Sequence, residues 1–447
     1  METIYLNKGF SPKIAGGPTS QCRRLHEPQR VGMAPYRIPF IKPRLLVKEG
    51  DTVSIGSPLF EDKRDPRIRF LSPGGGQIDR IVFGPRRVVQ EIAITLEKKE
   101  PAKTFELPSF EQLETSERET LVSLMLEGGL WPHLRAFPFM DLASPDAIPP
   151  EILVRVGDDE PFGPSPGIYL TDREAFFRDG ISLLLRLCEN VAVHVIEDDV
   201  KLPVLPDSVA VRHFEGPYPT GNPGVQLYRT KTAPQQNTSW FIDGQDVIQI
   251  GKFFRTGQYP VSRVMTVGGS LAPAAVHLVT RAGAPLRALV ANGAETPSAA
   301  RVIAGGLFTG YSASVDSFMG FYQNAVNLID EGDREEAFGF IRPGYNKPSY
   351  STAFLSVFHR KPFPMDCGQH GEVRACVNCG ICAKICPVDI LPQFTLKCLV
   401  VDEVEEALAH GLLDCVECGL CTYACPSKIE LREVLVSAKA HYYKEIA

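Results

Sequence analysis

The chain has 447 residues, and its 47 Lys and Arg against 53 Asp and Glu give a formal net charge of −6. It is too long for one hydrophobic core, so we expect three or four domains. The acidic balance disfavours a nucleic-acid partner, which would favour a basic surface.

The hydropathy pattern and the cysteines predict the cellular location of the protein. No apolar run reaches the ~18 residues that a membrane-spanning helix needs, and the N-terminus lacks the apolar core of a secretory signal. Eight of the twelve cysteines have the spacing of metal ligands rather than of a disulfide framework, which favours a reducing compartment. We therefore expect a soluble cytoplasmic chain that serves a membrane, if at all, by docking onto it.

Residues 1–105 are predicted to form a β-rich barrel-sandwich domain of the biotinyl/lipoyl type. Alternating apolar and polar residues flank Gly50-Asp51, a pair typical of a hairpin turn, and residues 70–84 form a second β unit. Lys63 falls near the place where a lipoyl domain carries its modified lysine. Nothing else in the sequence indicates lipoyl chemistry, so we interpret Lys63 as a surface-turn residue.

Residues 106–257 alternate between helical and strand patterns. A helix over 119–126 precedes a buried strand at 152–156, and a helix capped by Asp172 precedes a strand at 191–196. This order of strand, helix and strand predicts a parallel sheet of Rossmann-like kind. No G-x-G-x-x-G motif follows a strand, so no motif supports nucleotide binding by this domain.

Residues 258–335 are again predicted to be rich in strands. Short strands at 263–269, 286–290 and 302–310 are separated by glycines, which is typical of a small β-grasp domain. The following residues, up to 365, are rich in Ser, Tyr, Phe and Pro. We interpret residues 336–365 as a segment that connects two domains.

The last domain, residues 366–447, is organised by two cysteine motifs that each read C-x2-C-x2-C-x3-C-P. The first motif holds Cys376, Cys379, Cys382 and Cys386, and the second holds Cys415, Cys418, Cys421 and Cys425. This run binds [4Fe–4S] clusters in bacterial ferredoxins, where the fourth cysteine ligates the other cluster. We therefore predict one cluster on Cys376, Cys379, Cys382 and Cys425, and a second on Cys415, Cys418, Cys421 and Cys386.

Two helical faces are predicted around these motifs. Between the motifs, one face carries Val400, Val404, Ala407 and Gly411, with Gly411 suited to a helix C-terminus. After the second motif, a final helix presents Leu431, Val434, Leu435 and Ala438 on one face.

Other uses of the cysteines are less compatible with this pattern. A zinc ribbon would use two C-x2-C pairs, not two quartets that each end in Cys-Pro. A disulfide framework belongs to short secreted chains. With eight ligands available, Cys367 and Cys398 are interpreted as packing residues and Cys188 as a small core residue.

Two clusters with complete cysteine ligation transfer single electrons, and we predict no catalytic residue in this chain. The sequence shows no Ser-His-Asp arrangement, no H-E-x-x-H and no phosphate-binding P-loop, so hydrolase and ATPase activities lack residues to support them. The chain is thus predicted to be an electron conduit attached to larger docking domains.

The order of domains and several short motifs carry a family resemblance. The motifs are Lys8-Gly9-Phe10, Ile14-Ala15-Gly16-Gly17-Pro18, Leu59-Phe60-Glu61-Asp62-Lys63, Gly128-Gly129-Leu130-Trp131, Leu134-Arg135, Pro138-Phe139, Asp246-Val247-Ile248 and Gly251-Lys252. Over essentially its whole length, the chain resembles the family that joins NqrA of the Na+-translocating NADH:quinone oxidoreductase, RnfC of the Rnf complex and the FMN subunit of respiratory complex I. The NqrA branch is the most similar, and this resemblance implies that the third domain is SLBB-like.

Two departures from the family pattern qualify this resemblance. NqrA proteins of the familiar type lack the cysteine quartets, which resemble those of RnfC. The flavin-binding members carry a glycine-rich loop where this chain reads Gly129-Leu-Trp-Pro-His-Leu-Arg-Ala-Phe-Pro138, so FMN and NADH are not expected to bind here. Asp159-Glu160-Pro161 resembles the acidic motif of the flavin subunits, although acid plus proline is also common in ordinary loops.

The resemblance implies a peripheral subunit of a Na+-pumping NADH:quinone reductase on the cytoplasmic face of the inner (plasma) membrane. Its partners would be the membrane-embedded and flavin-carrying subunits of that complex, and it would contribute to interaction with quinone. An RnfC-like subunit of a ferredoxin:NAD oxidoreductase is the first alternative. A scaffold subunit with structural metal sites only is the second.

Overall fold

The structure is a computed structural model that describes residues 2–197, 200–291, 300–332, 341–345, 347–351, 353–369 and 371–446. Within these residues the strands form four sheets, and the C-terminal end is helical. No helix in this part of the chain is both long enough and apolar enough to cross a membrane.

The described strands are β1 Glu2–Tyr5, β2 Cys22–Arg24, β3 Arg30–Met33, β4 Pro43–Leu45, β5 Thr52–Val53, β6 Pro58–Asp62, β7 Asp65–Leu71, β8 Gly76–Phe83, β9 Val89–Leu96, β10 Arg135–Ala136, β11 Asp141–Leu142, β12 Ile152–Val156, β13 Val191–Val195, β14 Ala210–Glu215, β15 Trp240–Asp243, β16 Ser262–Gly268, β17 Val276–Arg281, β18 Ala300–Ala304, β19 Tyr311–Ser312 and β20 Ala325–Asp330. The described α-helices are α1 Phe110–Glu114, α2 Arg118–Glu127, α3 Pro166–Leu170, α4 Glu174–Leu187, α5 Pro223–Thr230, α6 Gly244–Thr256, α7 Leu286–Ala291, α8 Ile381–Ile385, α9 Pro392–Val400, α10 Val404–Ala409, α11 Leu420–Tyr423 and α12 Leu431–Ile446.

Two small sheets, β3-β9-β8-β5 and β4-β6-β7, form the N-terminal barrel-sandwich unit. They bury Val31, Phe60 and Ile92 completely. The predicted hairpin around Gly50-Asp51 is wrong, because β4 pairs with β6 and β5 pairs with β8. The chain crosses between the two sheets from β3 to β6, so β4 and β5 lie in different sheets, and a period of two along the chain does not reveal which strands pair. Lys63 lies exposed in the turn between β6 and β7, as predicted.

The seven-stranded sheet has the order β1-β14-β13-β12-β15-β10-β11, and β12 to β15 run parallel. This confirms the predicted unit of strand, helix and strand, in which α4 connects β12 to β13. The predicted cap of α4 is wrong: the helix begins at Glu174 after Arg173, and Asp172 has a φ of +62°. Because α3 ends only two residues earlier, Asp172 takes the left-handed conformation that separates the two helices.

Helices α4 and α6 pack against each other on one face of this sheet at unusually close range. A Cβ atom at Gly251 of α6 would lie 1.9 Å from the carbonyl oxygen of Phe176 in α4. A glycine is therefore required sterically at this position. This close packing fixes α6, whose first turn carries Asp246.

The six-stranded sheet has the order β19-β18-β20-β16-β17-β2 and mixes parallel and antiparallel pairs. The predicted strand at 286–290 is wrong, because these residues form α7. Leu286, Leu289 and Val290 are buried at helical spacing, and the Leu, Arg and Ala of this segment are good helix formers. The predicted strand at 302–310 ends at Ala304, since Gly305 has a φ of +98°.

The N-terminal segment ties these units together. β1 pairs in parallel with β14 of the seven-stranded sheet, and β2 pairs in parallel with β17 of the six-stranded sheet. Ile14 forms a bridge with Phe363, which belongs to the predicted connecting segment. Residues near the start of the chain therefore contact three later parts of it.

The C-terminal helices surround the two cysteine loops. Leu431 and Leu435 of α12 are buried, as the predicted face requires, and Gly411 follows α10. The predicted continuous face from Val400 is wrong, because α9 ends there, α10 starts at Val404, and Val400 is 76% exposed. Asp402 in the break has a φ of +61°, which a helix does not tolerate.

Candidate iron–sulfur centre

Each cysteine motif folds into the same loop before a short helix. In the first loop, Asn378 and Gly380 have φ values of +55° and +71°, and α8 follows. In the second loop, Glu417 and Gly419 have φ values of +60° and +81°, and α11 follows. Glycine adopts this left-handed conformation without steric cost, so both motifs turn sharply at the same place. The sequence repeat is thus a structural repeat.

The second loop closes around a cavity lined by four thiols, those of Cys386, Cys415, Cys418 and Cys421. The same cavity is lined by apolar side chains, among them Val388 and Ile390. The fourth cysteine of the first motif therefore lies with the first three cysteines of the second.

Burial is the main cause of the raised pKa values of these thiols. It raises the pKa of Cys415 to about 11 and that of Cys418 well above its ordinary value. Repulsion from the thiolates of Cys421 and Cys386 raises the pKa of Cys418 further. Cysteines bind metals as thiolates, so metal binding must release protons from these thiols.

The first loop is closer to the surface. Cys379 is exposed and Cys376 is half-buried, whereas Cys382 is buried and its S–H group donates to Oε1 of Gln393 at 3.1 Å. Cys425 is half-buried and follows α11 in the second motif.

Hydrogen bonds hold the end of the second motif against the start of the first. Oγ of Ser427 donates to the carbonyl of Ala375 at 2.9 Å, and the N–H of Arg374 donates to the carbonyl of Ser427 at 2.9 Å. Cys425 lies two residues before Ser427, and Cys376 directly follows Ala375. The chain therefore brings the end of the second motif to the start of the first.

The donor set can be tested for its fit to a metal group. Within the described residues, no three side chains of Cys, His, Asp or Glu converge closely enough to hold one ion. Zinc needs thiolates about 2.3 Å from a single centre, whereas the thiolates of a cubane bind different iron atoms and lie farther apart. Four thiols spread around an apolar cavity fit a cluster better than one ion.

Of the remaining cysteines, Cys22 is exposed, whereas Cys188 and Cys398 pack in hydrophobic cores. Cys188 is buried, and its S–H group donates to the carbonyl of Pro149 at 3.2 Å. Cys398 packs at the edge of the C-terminal core. The backbone N–H of Cys367 donates to the carbonyl of Asp330 at 2.9 Å.

Several side chains that contact the second loop were missed by the sequence analysis. The buried Tyr218 hydroxyl lies 2.7 Å from the carbonyl of Cys418 and 3.1 Å from Oε1 of Glu160. Nδ2 of Asn222 donates to the carbonyl of Val416 at 3.2 Å, and Nζ of Lys439 donates to that of Cys415 at 2.9 Å. No local pattern marks them, since Tyr218 and Cys418 are 200 residues apart.

Three regions of the chain match domains of known protein families. Residues 4–97 match the NqrA N-terminal barrel-sandwich hybrid domain, residues 116–259 match the NqrA second alpha/beta domain, and residues 375–429 match a 4Fe-4S dicluster domain. The last match implies two iron–sulfur clusters. An NAD+-reducing [NiFe]-hydrogenase structure aligns with 51% of each chain at 12% identity, but its TM-score of 0.35 is too low to support an argument.

Curated relatives match almost the whole chain. The NqrA subunit of the Na+-translocating NADH-quinone reductase of Actinobacillus pleuropneumoniae serotype 5b is 32% identical over 417 residues, or 92% of each chain. The corresponding subunits of Marinomonas sp. strain MWYL1 and Haemophilus influenzae strain Rd are also 32% identical, over 411 and 415 residues. The chain therefore belongs to the NqrA family of Na+-translocating NADH-quinone reductase subunits, and it ends in a 4Fe-4S dicluster domain.

Proposed function

We propose that this protein is the electron-transfer subunit of NqrA type in a Na+-translocating NADH:quinone oxidoreductase and carries two [4Fe–4S] clusters. The observation that carries this proposal is the cavity in which Cys386 joins Cys415, Cys418 and Cys421. In two-cluster ferredoxins the fourth cysteine of each motif binds the cluster held by the other motif, and this requires thiols from both motifs around one cavity. The curated relatives are named as subunits of the Na+-translocating NADH-quinone reductase, which supports the assignment of this protein to that complex.

We propose the ligand sets predicted from the motifs. The second cluster is bound by Cys415, Cys418, Cys421 and Cys386, supported by their shared cavity. The first cluster is bound by Cys376, Cys379, Cys382 and Cys425, supported by the hydrogen bonds between residues 374–375 and Ser427. When bound, each cluster supplies a centre that takes up and releases one electron. The protein sets its potential through burial, charge and hydrogen bonds near the sulfurs.

The finer domain description is also a proposal. We assign a barrel-sandwich domain to residues 1–105, a Rossmann-like domain to 106–257, an SLBB-like β-grasp domain to 258–335, a connecting segment to 336–365 and the dicluster domain to 366–447. The parallel order of β12 to β15 supports the second assignment. The mixed sheet built on β16, with α7 packed against it, supports the third.

We propose that the protein lies at the cytoplasmic face of the inner membrane and docks onto the membrane-embedded and flavin-carrying subunits, where it contributes to quinone interaction. The two cysteine loops differ in exposure, because Cys379 is exposed whereas Cys418 is buried. Electrons can therefore pass between a partner and the first cluster at the surface. The second cluster would then connect the first to the interior of the chain.

The purified full-length protein tests this proposal directly. We expect about four iron and four sulfide per cluster for two clusters, with broad visible absorption that dithionite bleaches reversibly. Redox-poised EPR should resolve two reducible centres. A colourless protein that contains two zinc ions would overturn the cluster assignment and leave a scaffold role.

Replacing Lys439 by methionine is expected to lower the reduction potential of the second cluster. Nζ of this buried lysine lies 2.9 Å from the carbonyl of Cys415 and 2.9 Å from Oε1 of Glu417. Methionine keeps the apolar length but removes a positive charge that favours the reduced cluster, a shift on the order of 50 mV. Redox titration by EPR measures it. Lys444→Met, at an exposed position of the same helix, is the control, and equal potentials in both variants would contradict the prediction.

A further inference from the structure

The turn between β8 and β9 is exposed and carries both apolar and basic side chains. Phe83 ends β8, Val88 precedes β9, and each of these side chains is 47% exposed. Arg86 and Arg87 lie between them and are exposed as well. The N–H group of Gly84 donates to the carbonyl of Val88 at 2.8 Å, so the residues between these two protrude as a closed turn. We call Phe83, Arg86, Arg87 and Val88 the hairpin tip.

The backbone of the hairpin tip is strained at its two arginines. Arg86 has φ and ψ values of +55° and +28°, and Arg87 has a φ of +57°. The N–H group of Val88 donates to the carbonyl of Pro85 at 3.3 Å, which completes a turn with two left-handed central residues. Asn-Gly is the pair that favours such a turn, whereas arginine in this conformation costs free energy because its Cβ crowds the backbone. The needs of the turn therefore do not explain the two arginines, and strain of this kind is concentrated at functional sites.

The charges of the two arginines are unpaired. Among the described residues, neither guanidinium group of the hairpin tip forms an ion pair with an acid. The Glu91 carboxylate of β9 pairs with Arg80 of β8 at 2.8 Å instead. The turn between β6 and β7 differs, because its Arg64 lies 2.7 Å from Asp141. A chain with a net charge of −6 thus presents two positive charges that are left for an external partner.

A further exposed aromatic ring lies at the same end of this sheet. β3 pairs with β9 and ends at Met33, opposite Ile92. Because the two strands are antiparallel, the chain after Met33 continues toward the hairpin tip. This segment packs against β9 and contains Tyr36, which is 44% exposed, with the Arg37 guanidinium 4.4 Å from its ring centroid. Apolar and basic groups therefore occur together at this end of the barrel-sandwich unit.

The chemistry of the hairpin tip fits an anionic membrane surface. The tip is convex, and its apolar side chains flank its charges, so groups of both kinds reach the same surface together. At a membrane, arginine pairs with anionic headgroups while apolar side chains enter the boundary with the acyl chains. A protein partner would need a concave acidic pocket with an apolar rim, whereas a lipid surface adapts to a protruding turn. A membrane surface therefore satisfies both kinds of side chain at once.

We propose that the hairpin tip contacts the anionic lipid surface beside the complex, with Arg86 and Arg87 on headgroup phosphates and Phe83 and Val88 in the interfacial layer. This inference rests on the proposed place of the protein at the cytoplasmic face of the inner membrane. An arginine close to an anionic surface strengthens binding about fivefold, which corresponds to about 1 kcal/mol. One tip is a weak anchor by itself. Together with docking onto the membrane-embedded subunits, it fixes the orientation of the protein, since both contacts form at once.

The test measures binding of the purified full-length protein to lipid vesicles by sedimentation. One set of vesicles contains phosphatidylcholine alone, and the other contains equal parts of phosphatidylcholine and the anionic phosphatidylglycerol. The protein is expected to bind the anionic vesicles at least about tenfold more tightly than the neutral ones. Added salt should weaken this binding, because it screens the charges of the headgroups.

The informative variant replaces both arginines of the tip, Arg86→Asn together with Arg87→Gly. It introduces the pair that the turn favours, so the hairpin stays folded and misfolding does not account for a loss of binding. Its binding to anionic vesicles should fall at least about tenfold. The control, Arg23→Gln with Arg24→Gln, removes the same charge from exposed positions of β2 and should stay within about threefold of the unmodified protein.

Three outcomes would overturn the inference: no binding to anionic vesicles, unchanged binding by the double variant of the tip, or an equal loss in the β2 control. If the tip variant keeps vesicle binding but no longer co-purifies with the membrane-embedded subunits, the tip binds a protein and the lipid partner is rejected. Iron content and reversible bleaching of the same preparations show separately whether the clusters are present. Failure of this inference is therefore distinguishable from failure of the proposed function.

Discussion

Replacing Cys386 by alanine is expected to abolish the cluster bound by the second motif, although Cys386 belongs to the first. The thiol of Cys386 lines the same cavity as those of Cys415, Cys418 and Cys421. Alanine leaves three thiolates for four irons, and the missing ligand cannot be replaced from an apolar wall. Iron per chain should fall by about half. EPR of the reduced protein should lose one of its two signals.

Reference variants identify which signal is lost. Cys379→Ala removes a ligand of the first cluster, and Cys418→Ala removes a ligand of the second, whichever way the fourth cysteines are assigned. Cys386→Ala should therefore match the spectrum of Cys418→Ala, and Cys425→Ala should match that of Cys379→Ala. Cys398→Ala, at a half-buried packing residue, should keep both signals. A Cys386→Ala spectrum that matches Cys379→Ala would disprove the ligand exchange.

Replacing Arg263 by methionine is expected to destabilise the seven-stranded sheet unit by about 3–5 kcal/mol, because it leaves the buried Asp246 carboxylate with His133 as its remaining partner. Asp246, in the first turn of α6, is 3% exposed. Its Oδ1 atom lies 2.5 Å from Arg263 Nη2 and 3.1 Å from His133 Nδ1. Burial alone would raise the pKa of Asp246, but the charges of Arg263 and His133 outweigh it and hold the pKa well below its ordinary value.

The two tryptophans of the chain report on this unit. Trp131 and Trp240 are buried with their ring centroids 5.8 Å apart, so urea unfolding followed by fluorescence measures the loss. Arg287→Met removes an exposed pair with Asp316 and should cost at most about 1 kcal/mol. Adding Asp246→Leu to Arg263→Met should recover part of the loss, since the buried carboxylate that lost its arginine is also removed. Equal costs for Arg263→Met and Arg287→Met would contradict the prediction.

The pH dependence of this contribution follows from the lowered pKa of Asp246. The carboxyl group is ionised in the folded protein at pH values where the unfolded chain has begun to bind a proton. The stabilisation by ionised Asp246 is therefore complete at pH values above the ordinary carboxyl pKa of the unfolded chain. It is lost as the pH falls through the lowered pKa of Asp246 in the folded protein. Unfolding midpoints measured at decreasing pH should converge between the unmodified protein and the variant that lacks both Arg263 and Asp246.

Local patterns in the sequence were sufficient for features that depend on near neighbours. The buried face of α12 follows from the helical spacing of Leu431 and Leu435, and the parallel unit of β12, α4 and β13 follows from two apolar runs around an amphipathic helix. The segment 286–290 was assigned wrongly because a short apolar run fits both a strand and a helix. Only its packing against the six-stranded sheet selects the helix.

The two cysteine motifs were determined by the sequence itself, because ligand spacing on a tight loop is a local property that neither burial nor distant residues can change. The tertiary structure decided what surrounds them. It places Cys386 beside the second loop, and Tyr218 and Lys439 on its carbonyl groups. These contacts join residues that are far apart in the chain, and a buried charge or hydrogen bond acquires its partner only when the sheets and helices pack together.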